Sequence, residues 1–301
     1  MKALPGNTAV RSRILTWYGR VGRELPWRKT RDPYAIAVSE VMLQQTQVDR
    51  VKPKFLAWRR AWPTTKSLAK APLAEVLKLW SGLGYNSRAM RLRLAAREVM
   101  TRHNGRWPRT VEELQALPGF GPYTAGAVAT FAYRQRVPVI DTNIRRVMSR
   151  IFFGARGTAN EKALVKKVTE LLPTTRPDVW NHALMDLGAM VCVARKPKCE
   201  ECPVKNLCRA YPAILEKQPT VKKSPKPKFE ITDRYWRGRI IVVATQSGRI
   251  TLPELKQKMV KFGSINRARF IRILHDLEKA GLITSPLPAG RQGRRMISIS
   301  D

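Results

Sequence analysis

An all-α body followed by a small α+β module is the fold class that this 301-residue sequence predicts. From about Thr8 to Tyr211, apolar residues recur at helical spacing in segments broken by Pro and Gly, with almost no strand-like alternation. After residue 230, helical segments are joined by short β-prone pieces. Near the end of the body, all four cysteines of the chain fall within 17 residues.

The segment MKALPGNTAVRSRILTWYGR has no continuous apolar stretch and reads as an amphipathic helix rather than a signal peptide. Helical runs follow at Tyr34 to Trp58, Leu73 to Leu79, Ser87 to His103, Val111 to Leu117, Tyr123 to Tyr133, Asn143 to Phe152 and Asn160 to Leu172. Two of these are joined by Leu117-Pro118-Gly119-Phe120-Gly121-Pro122-Tyr123-Thr124. There, Gly119 and Gly121 allow positive φ and close approach of another backbone. The amides that open the next helix can then face a phosphate. Gln218 to Phe229 reads QPTVKKSPKPKF, a Pro- and Lys-rich linker.

Beyond the linker, Tyr235 to Gln246 reads as a helix or a strand. Leu252 to Phe262 and Ile265 to Ala280 read as a helix–turn–helix with Gly263 at the turn. Leu282 to Thr284 and Met296 to Ser300 are β-prone and flank the basic loop Gly290 to Arg295. Helices plus a hairpin with an Arg-rich tip are similar to a winged helix. The expected organisation is a helical domain over 1–215 with the cysteine loop at 192–208, a linker over 216–229, and a winged-helix-like DNA-binding domain over 230–301. No internal repeat is present.

Lys and Arg number 57 against 22 Asp and Glu, a net charge of +35. From residue 212 onward, 19 basic and 7 acidic residues leave +12 in the tail, so the first 211 residues carry +23. The charge belongs to the folded body as well as the tail and predicts a polyanionic partner. Ribosomal and other RNA-binding proteins rarely combine such charge with 44% hydrophobic residues and eight Trp. No run approaches the 18 apolar residues of a membrane span, and reduced cysteines without an export signal predict a cytoplasmic, nucleoid-associated protein.

Cys192, Cys199, Cys202 and Cys208 have the spacing C-x6-C-x2-C-x5-C. Four such thiolates suit either tetrahedral zinc or a [4Fe–4S] cube. Two disulfides are disfavoured because no secretory signal precedes them.

Two carboxylates stand out. Asp141, in PVIDTNIRRV, precedes an apolar-periodic run and predicts a helix N-cap with a lowered pKa. An anion there can oppose the oxocarbenium character that builds when a glycosidic bond breaks. Glu40 lies in AIAVSEVMLQQT, where every residue from Ile36 to Leu43 except Ser39 and Glu40 is apolar. A carboxylate in that setting is costly unless used. Partial burial would raise its pKa toward that of a general acid.

The cysteine spacing resembles the cluster loop of the endonuclease III and MutY superfamily. The strings LPWR at Leu25 to Arg28, SEVMLQQTQV, WSGLGYNSRA at Trp80 to Ala89 and LPGFGPYTAGAV at Leu117 to Val128 resemble MutY-type adenine DNA glycosylases over residues 8–211. The resemblance implies a helix–hairpin–helix glycosylase fold of two helical subdomains, with a [4Fe–4S] cluster on Cys192, Cys199, Cys202 and Cys208. It further implies that Glu40 protonates N7 of a flipped adenine and later activates water. Asp141 would stabilise the sugar cation, Asn143 would orient Asp141, and Tyr123 would lie against the extruded nucleotide. Arg23, Leu25 and Trp27 would line the adenine pocket, and Gln45 with its neighbour Thr46 and Tyr85 would meet the duplex where the base leaves the stack. Gly119 and Gly121 would approach the DNA backbone.

The expected function is a monofunctional adenine DNA glycosylase of base excision repair, a monomer acting on double-stranded DNA that contains adenine opposite 8-oxoguanine or guanine. Endonuclease III-like enzymes place a nucleophilic Lys where this chain has Tyr123, and no Lys occurs from 79 to 161. Strong lyase activity is therefore not expected. Thymine or uracil mismatch glycosylases of the same fold form one alternative, and a non-enzymatic iron–sulfur winged-helix regulator forms another. Two departures from the family stand out. Thr142 replaces the Gly common in the middle of Asp-Gly-Asn, and residues 230–301 are too short for the Nudix-like domain that reads oxidised guanine.

Overall fold

The computed structural model describes residues 6–155, 160–216, 228–284 and 296–300. Helices α1 (Asn7–Val21), α2 (Pro33–Leu43), α3 (Val48–Ala61), α4 (Thr65–Lys70), α5 (Leu73–Trp80), α6 (Ser87–Arg102), α7 (Val111–Ala116) and α8 (Pro122–Tyr133) are followed by α9 (Thr142–Phe153), α10 (Glu161–Leu171), α11 (Pro177–Met190) and the short α12 (Ala213–Glu216). No strand occurs before residue 249 among the described residues. The expected run from Tyr34 to Trp58 is divided: α2 stops at Leu43, and Gln45 adopts φ +56.

The chain forms two compact units, each assembled from separated stretches. One takes 1–37, 109–116 and 120–222; the other takes 38–108, 117–119 and 223–301.

In the first unit, α9 buries Ile144, Val147, Met148, Ile151 and Phe152 against Val10 and Ile14 of α1, Leu164 and Val168 of α10, and Trp180, Leu184 and Leu187 of α11. The 3.6-residue period of α9 puts its apolar stripe on that core and its arginines outside it.

In the second unit, Trp58, Trp62 and Trp80 meet edge to face at ring separations of 4.7 and 5.6 Å. Thr64 and Ser67 form a reciprocal capping box at the start of α4. The buried Arg93 donates to Ala71 O at 2.6 Å, and Trp107 donates to Thr65 at 2.8 Å, so two buried donors find acceptors.

This unit also contains the C-terminal module. Its order is α13 (Asp233–Ser247), β1 (Arg249–Thr251), α14 (Leu252–Met259), α15 (Arg267–Lys279), β2 (Ile283–Thr284) and β3 (Met296–Ile299). The antiparallel sheet runs β1-β3-β2, with Ile250 opposite Ile297 and Ile283 opposite Ile299. Gly263 at φ +119 makes the turn between α14 and α15. Helix α13 is the centre of the module; its Tyr235, Trp236, Ile240, Ile241, Val243 and Ala244 are buried. The described residues of the module form three helices and a small three-stranded sheet, the α+β composition expected here. The expected wing, with Arg291, Arg294 and Arg295, lies outside the described residues, as does most of the linker. No helix among the described residues is long and apolar enough to cross a membrane.

Arg88 explains why α2 ends where it does. Its Nη1 donates to Val41 O at 2.6 Å and Gln44 O at 2.7 Å, capping the last carbonyls of α2. Its Nη2 donates to Leu83 O and Gly84 O, both at 3.1 Å, holding the turn after α5. Burial lowers its pKa to about 10, with the neighbouring Tyr85 opposing the shift, so it remains a cation at neutral pH. Arg88→Met should leave these carbonyls without a charged donor. A loss of about 1.5–3 kcal/mol is expected, seen as a lower urea midpoint with an unchanged slope.

Candidate active site and cluster loop

Asp141 caps α9 as expected: Oδ1 accepts from Ile144 N at 2.6 Å. Its Oδ2 accepts from Asn143 Nδ2 at 2.9 Å. The expected lowering of its pKa is overturned. Burial raises it above the ordinary aspartate value, and the hydrogen bonds from Ile144 and Asn143 with the charge of Arg146 only partly offset this. Desolvation wins because the cap sits inside the unit rather than at a wet surface.

Asn143 is itself fixed. Its Oδ1 accepts from Arg146 Nη2 at 2.7 Å, and the same nitrogen donates to Gly188 O at 2.7 Å. A Cβ at Gly188 would stand 2.6 Å from Asn143 Cβ, so only glycine lets α11 approach α9 this closely.

Arg23 and Arg28 converge on Asp186, a residue not among the expected site residues. Leu25 and Trp27 are buried. Arg23 reaches Asp186 through its backbone N at 2.9 Å and Nε at 2.8 Å, and Arg28 holds the same carboxylate with Nη1 and Nη2, each at 2.8 Å. Asp186 is fully buried. Burial alone would raise its pKa, but Arg28 and then Arg23 pull it below the ordinary value. His182 stacks on Phe131 at 4.3 Å and is kept neutral, its pKa pushed to about 3 by burial and by Arg28. Asp186 was legible on the same ground as Glu40, a carboxylate amid apolar neighbours in NHALMDLGAM.

Tyr123 lies in the first turn of α8, half-buried, behind Gly121 and Pro122. Gly119 has the expected positive φ, +82, and a Cβ there would lie 2.8 Å from Arg91 Cβ. Gly121 differs: its φ is −84, and nothing lies within 4 Å of where a Cβ would point. Of the two hairpin glycines, only Gly119 makes a close approach inside the chain.

In the other unit, Glu40 is only 6% exposed within α2. Gln45 and Tyr85 both adopt left-handed backbone, at φ +56 and +50. Arg88 holds the turns of both, and Thr46 Oγ1 closes the first by donating to Gln44 O at 3.2 Å.

The four cysteines line one pocket with Val147, Ile151, Leu187 and Val191. Burial pushes the Cys202 thiol up to about 12 and also raises Cys199 and Cys208, so thiolates here require cationic metal. Among the described residues, no three metal-type ligands converge enough to hold one ion. Four cysteines around one pocket are a donor set that a [4Fe–4S] cluster uses, one thiolate to each iron. Arg150 braces the pocket, donating to Cys192 Sγ at 3.3 Å, Val193 O at 2.7 Å and Ala194 O at 3.0 Å, while Arg146 donates to Cys192 O at 2.8 Å.

Comparison with known proteins agrees. Residues 38–174 match the family described as HhH-GPD superfamily base excision DNA repair protein, and residues 192–208 match the iron–sulfur binding domain of endonuclease III. An adenine DNA glycosylase of Mycolicibacterium smegmatis is 40% identical over 90% of this chain and 91% of the relative. The chain belongs to the adenine DNA glycosylase family. The adenine DNA glycosylase of Mus musculus is 45% identical over 70% of this chain, which spans only 43% of that longer relative. A solved thermostable thymine-DNA glycosylase is 35% identical with a TM-score of 0.64, covering 68% of this chain and 96% of the other.

Within this family, the loop from Cys192 to Cys208 is the iron–sulfur site, and the four thiols fit it. Purified protein kept free of oxygen should contain about four irons per chain and absorb in the visible; one zinc and no iron would contradict the assignment. Gly188→Ala should cost about 1–3 kcal/mol by forcing Asn143 aside. Gly238→Ala in α13, with open space at the Cβ position, should be neutral or stabilising by up to ~1 kcal/mol. Comparing both denaturation midpoints with that of the parent chain checks the contrast.

Proposed function

We propose that the protein is a monofunctional adenine DNA glycosylase that binds double-stranded DNA, flips an adenine mispaired with 8-oxoguanine or guanine, and hydrolyses its N-glycosidic bond. The observation that supports this reading is a pair of shielded carboxylates, Glu40 buried in an apolar helix and the half-buried Asp141 held by Ile144 and Asn143, in a chain of net charge +35. In this mechanism the Glu40 carboxyl donates its proton to adenine N7 as the C1′–N9 bond breaks. The bonding electrons leave with the base, and the sugar becomes an oxocarbenium cation that the Asp141 carboxylate stabilises. Glu40, now a carboxylate, takes a proton from water as the water oxygen bonds to C1′. Asn143 orients Asp141, and Tyr123 lies beside the extruded nucleotide. Arg23, Leu25 and Trp27 bound the base, while Gln45, Thr46 and Tyr85 fill the gap in the duplex. Gly119 and Gly121 let the hairpin meet the DNA backbone.

Residues 1–215 form the glycosylase domain in this reading, 216–229 the linker, and 230–301 the DNA-binding winged helix. The protein works as a cytoplasmic monomer at the nucleoid. The kinship with a thymine-DNA glycosylase supports a second substrate, thymine opposite guanine. A DNA-binding regulator has no use for either carboxylate.

Glu40→Gln should bind duplex containing adenine opposite 8-oxoguanine yet lose excision by on the order of a thousandfold, since general acid–base work contributes roughly 10²–10⁴. Asp141→Asn should fail similarly. Duplexes with adenine opposite 8-oxoguanine, adenine opposite guanine, and thymine opposite guanine, assayed in parallel, separate the substrates. Retained adenine excision by Glu40→Gln sinks the mechanism.

A further inference from the structure

Tyr85 occupies the turn between α5 and α6. Its side chain is 42% exposed on left-handed backbone, between Gly84 at φ +72 and the start of α6. Such backbone is costly for a bulky residue, so the surroundings must impose it. They do: Arg88 donates to Leu83 O and Gly84 O, and Trp80 Nε1 donates to Gly84 O at 2.9 Å. An aromatic ring is thus held in solvent on a rigid mount, the arrangement of a base-stacking platform.

The C-terminal module reaches this ring. Arg234, in the first turn of α13, donates from Nη1 to Tyr85 Oη at 2.9 Å. Its guanidinium lies 5.3 Å from the Tyr85 ring centroid and 5.0 Å from that of Phe229, and the Arg88 guanidinium lies 5.5 Å from the Tyr85 ring. Helix α13 packs against α5, so the contact is built into the unit. Other arginines of the module are used differently. Arg269 and Arg272 each donate to Asp233 at 2.7 Å, which turns them toward α13.

We propose that Arg234 is a positioning residue through which the C-terminal module fixes the orientation of Tyr85 for insertion into duplex DNA. This rests on the reading of the chain as a base-flipping glycosylase. A ring already held by a hydrogen bond and a cation–π contact loses less rotamer freedom when it enters the stack. The module then acts on the flipping step as well as on the phosphate backbone.

The test uses the full chain with its cluster, and three variants: Arg234→Met, which keeps an unbranched side chain without the guanidinium; Tyr85→Phe, which removes only the hydroxyl; and the double variant. The probe is a duplex with adenine opposite 8-oxoguanine and 2-aminopurine beside the adenine, whose fluorescence reports unstacking. Each single variant should slow single-turnover excision by about three- to tenfold and reduce the fluorescence rise at saturating protein. The double variant should be no slower than the worse single, as for one shared contact. Wild-type behaviour in Arg234→Met overturns the proposal, as do multiplying losses. Faster excision overturns it too, because the contact would then hold Tyr85 back. A purely structural role would lower the thermal midpoint of Arg234→Met and leave the saturated fluorescence unchanged. If the parent chain unstacks the duplex without excising adenine, the glycosylase reading fails, while the variants still decide the role of Arg234.

Discussion

The register of α9 is the constraint on which the first unit depends. Asp141 ends the approach to the helix as its cap, Asn143 stands in the first turn, and Arg146 and Arg150 follow one turn apart on the same face. Because Arg146 holds Asn143 Oδ1, Gly188 O and Cys192 O together, the catalytic candidate, the close crossing with α11 and the cluster loop share one guanidinium. Arg150 extends the grip along Val193 and Ala194. A planar fork with several fixed donors can satisfy carbonyls from separate segments at once, which the point charge of a lysine cannot.

The second unit repeats the device with different residues. Arg88 terminates α2, holds the turn of Gln45 and holds the turn of Tyr85, so two exposed candidate wedges rest on one half-buried cation. These internal uses alter the meaning of the net charge. Arg23 and Arg28 neutralise Asp186, Arg93 binds a helix-end carbonyl, and Arg269 and Arg272 bind Asp233. The net charge of +35 already counts Asp186 and Asp233, whereas Arg88, Arg93, Arg146 and Arg150 are spent on neutral carbonyls inside the fold, so part of that charge is committed internally.

The all-α body, the hairpin turn at Gly119, the cap at Asp141, the cysteine loop and the helix–turn–helix of the C-terminal module were legible, because each leaves a local signature in period, cap or spacing; Gly121, at φ −84, was misread, and α13 could equally have been a strand. What was not legible depends on residues far apart in the chain. Tyr34 to Trp58 read as one helix because the apolar pattern carries through Gln44 to Gln47; the break comes from Arg88, 44 residues beyond Gln44. β1 is three residues long, and its pairing with β3 spans 44 or more positions, so no alternation announces it. Gly188 looked like an ordinary helical glycine until α9 was packed against it.

The pKa of Asp141 shows why sign matters in such a site. A cap that accepts an amide and a side-chain NH₂ suggests a stabilised anion, and in open solvent those bonds would dominate. Here burial outweighs them and the pKa is raised. Between the ordinary aspartate value and the raised one, the folded chain binds more protons than the unfolded chain. Folding stability therefore falls as pH rises through that window and is lower at neutral pH. What the fold gives up there is useful to a reaction that builds positive charge. A poorly hydrated carboxylate gains more from an approaching cation than one already satisfied by water, because little solvent must be displaced and the local dielectric is low. The interaction is strongest when the sugar is most cationic, at the transition state rather than in the bound substrate, which is the condition for raising the rate rather than only the affinity.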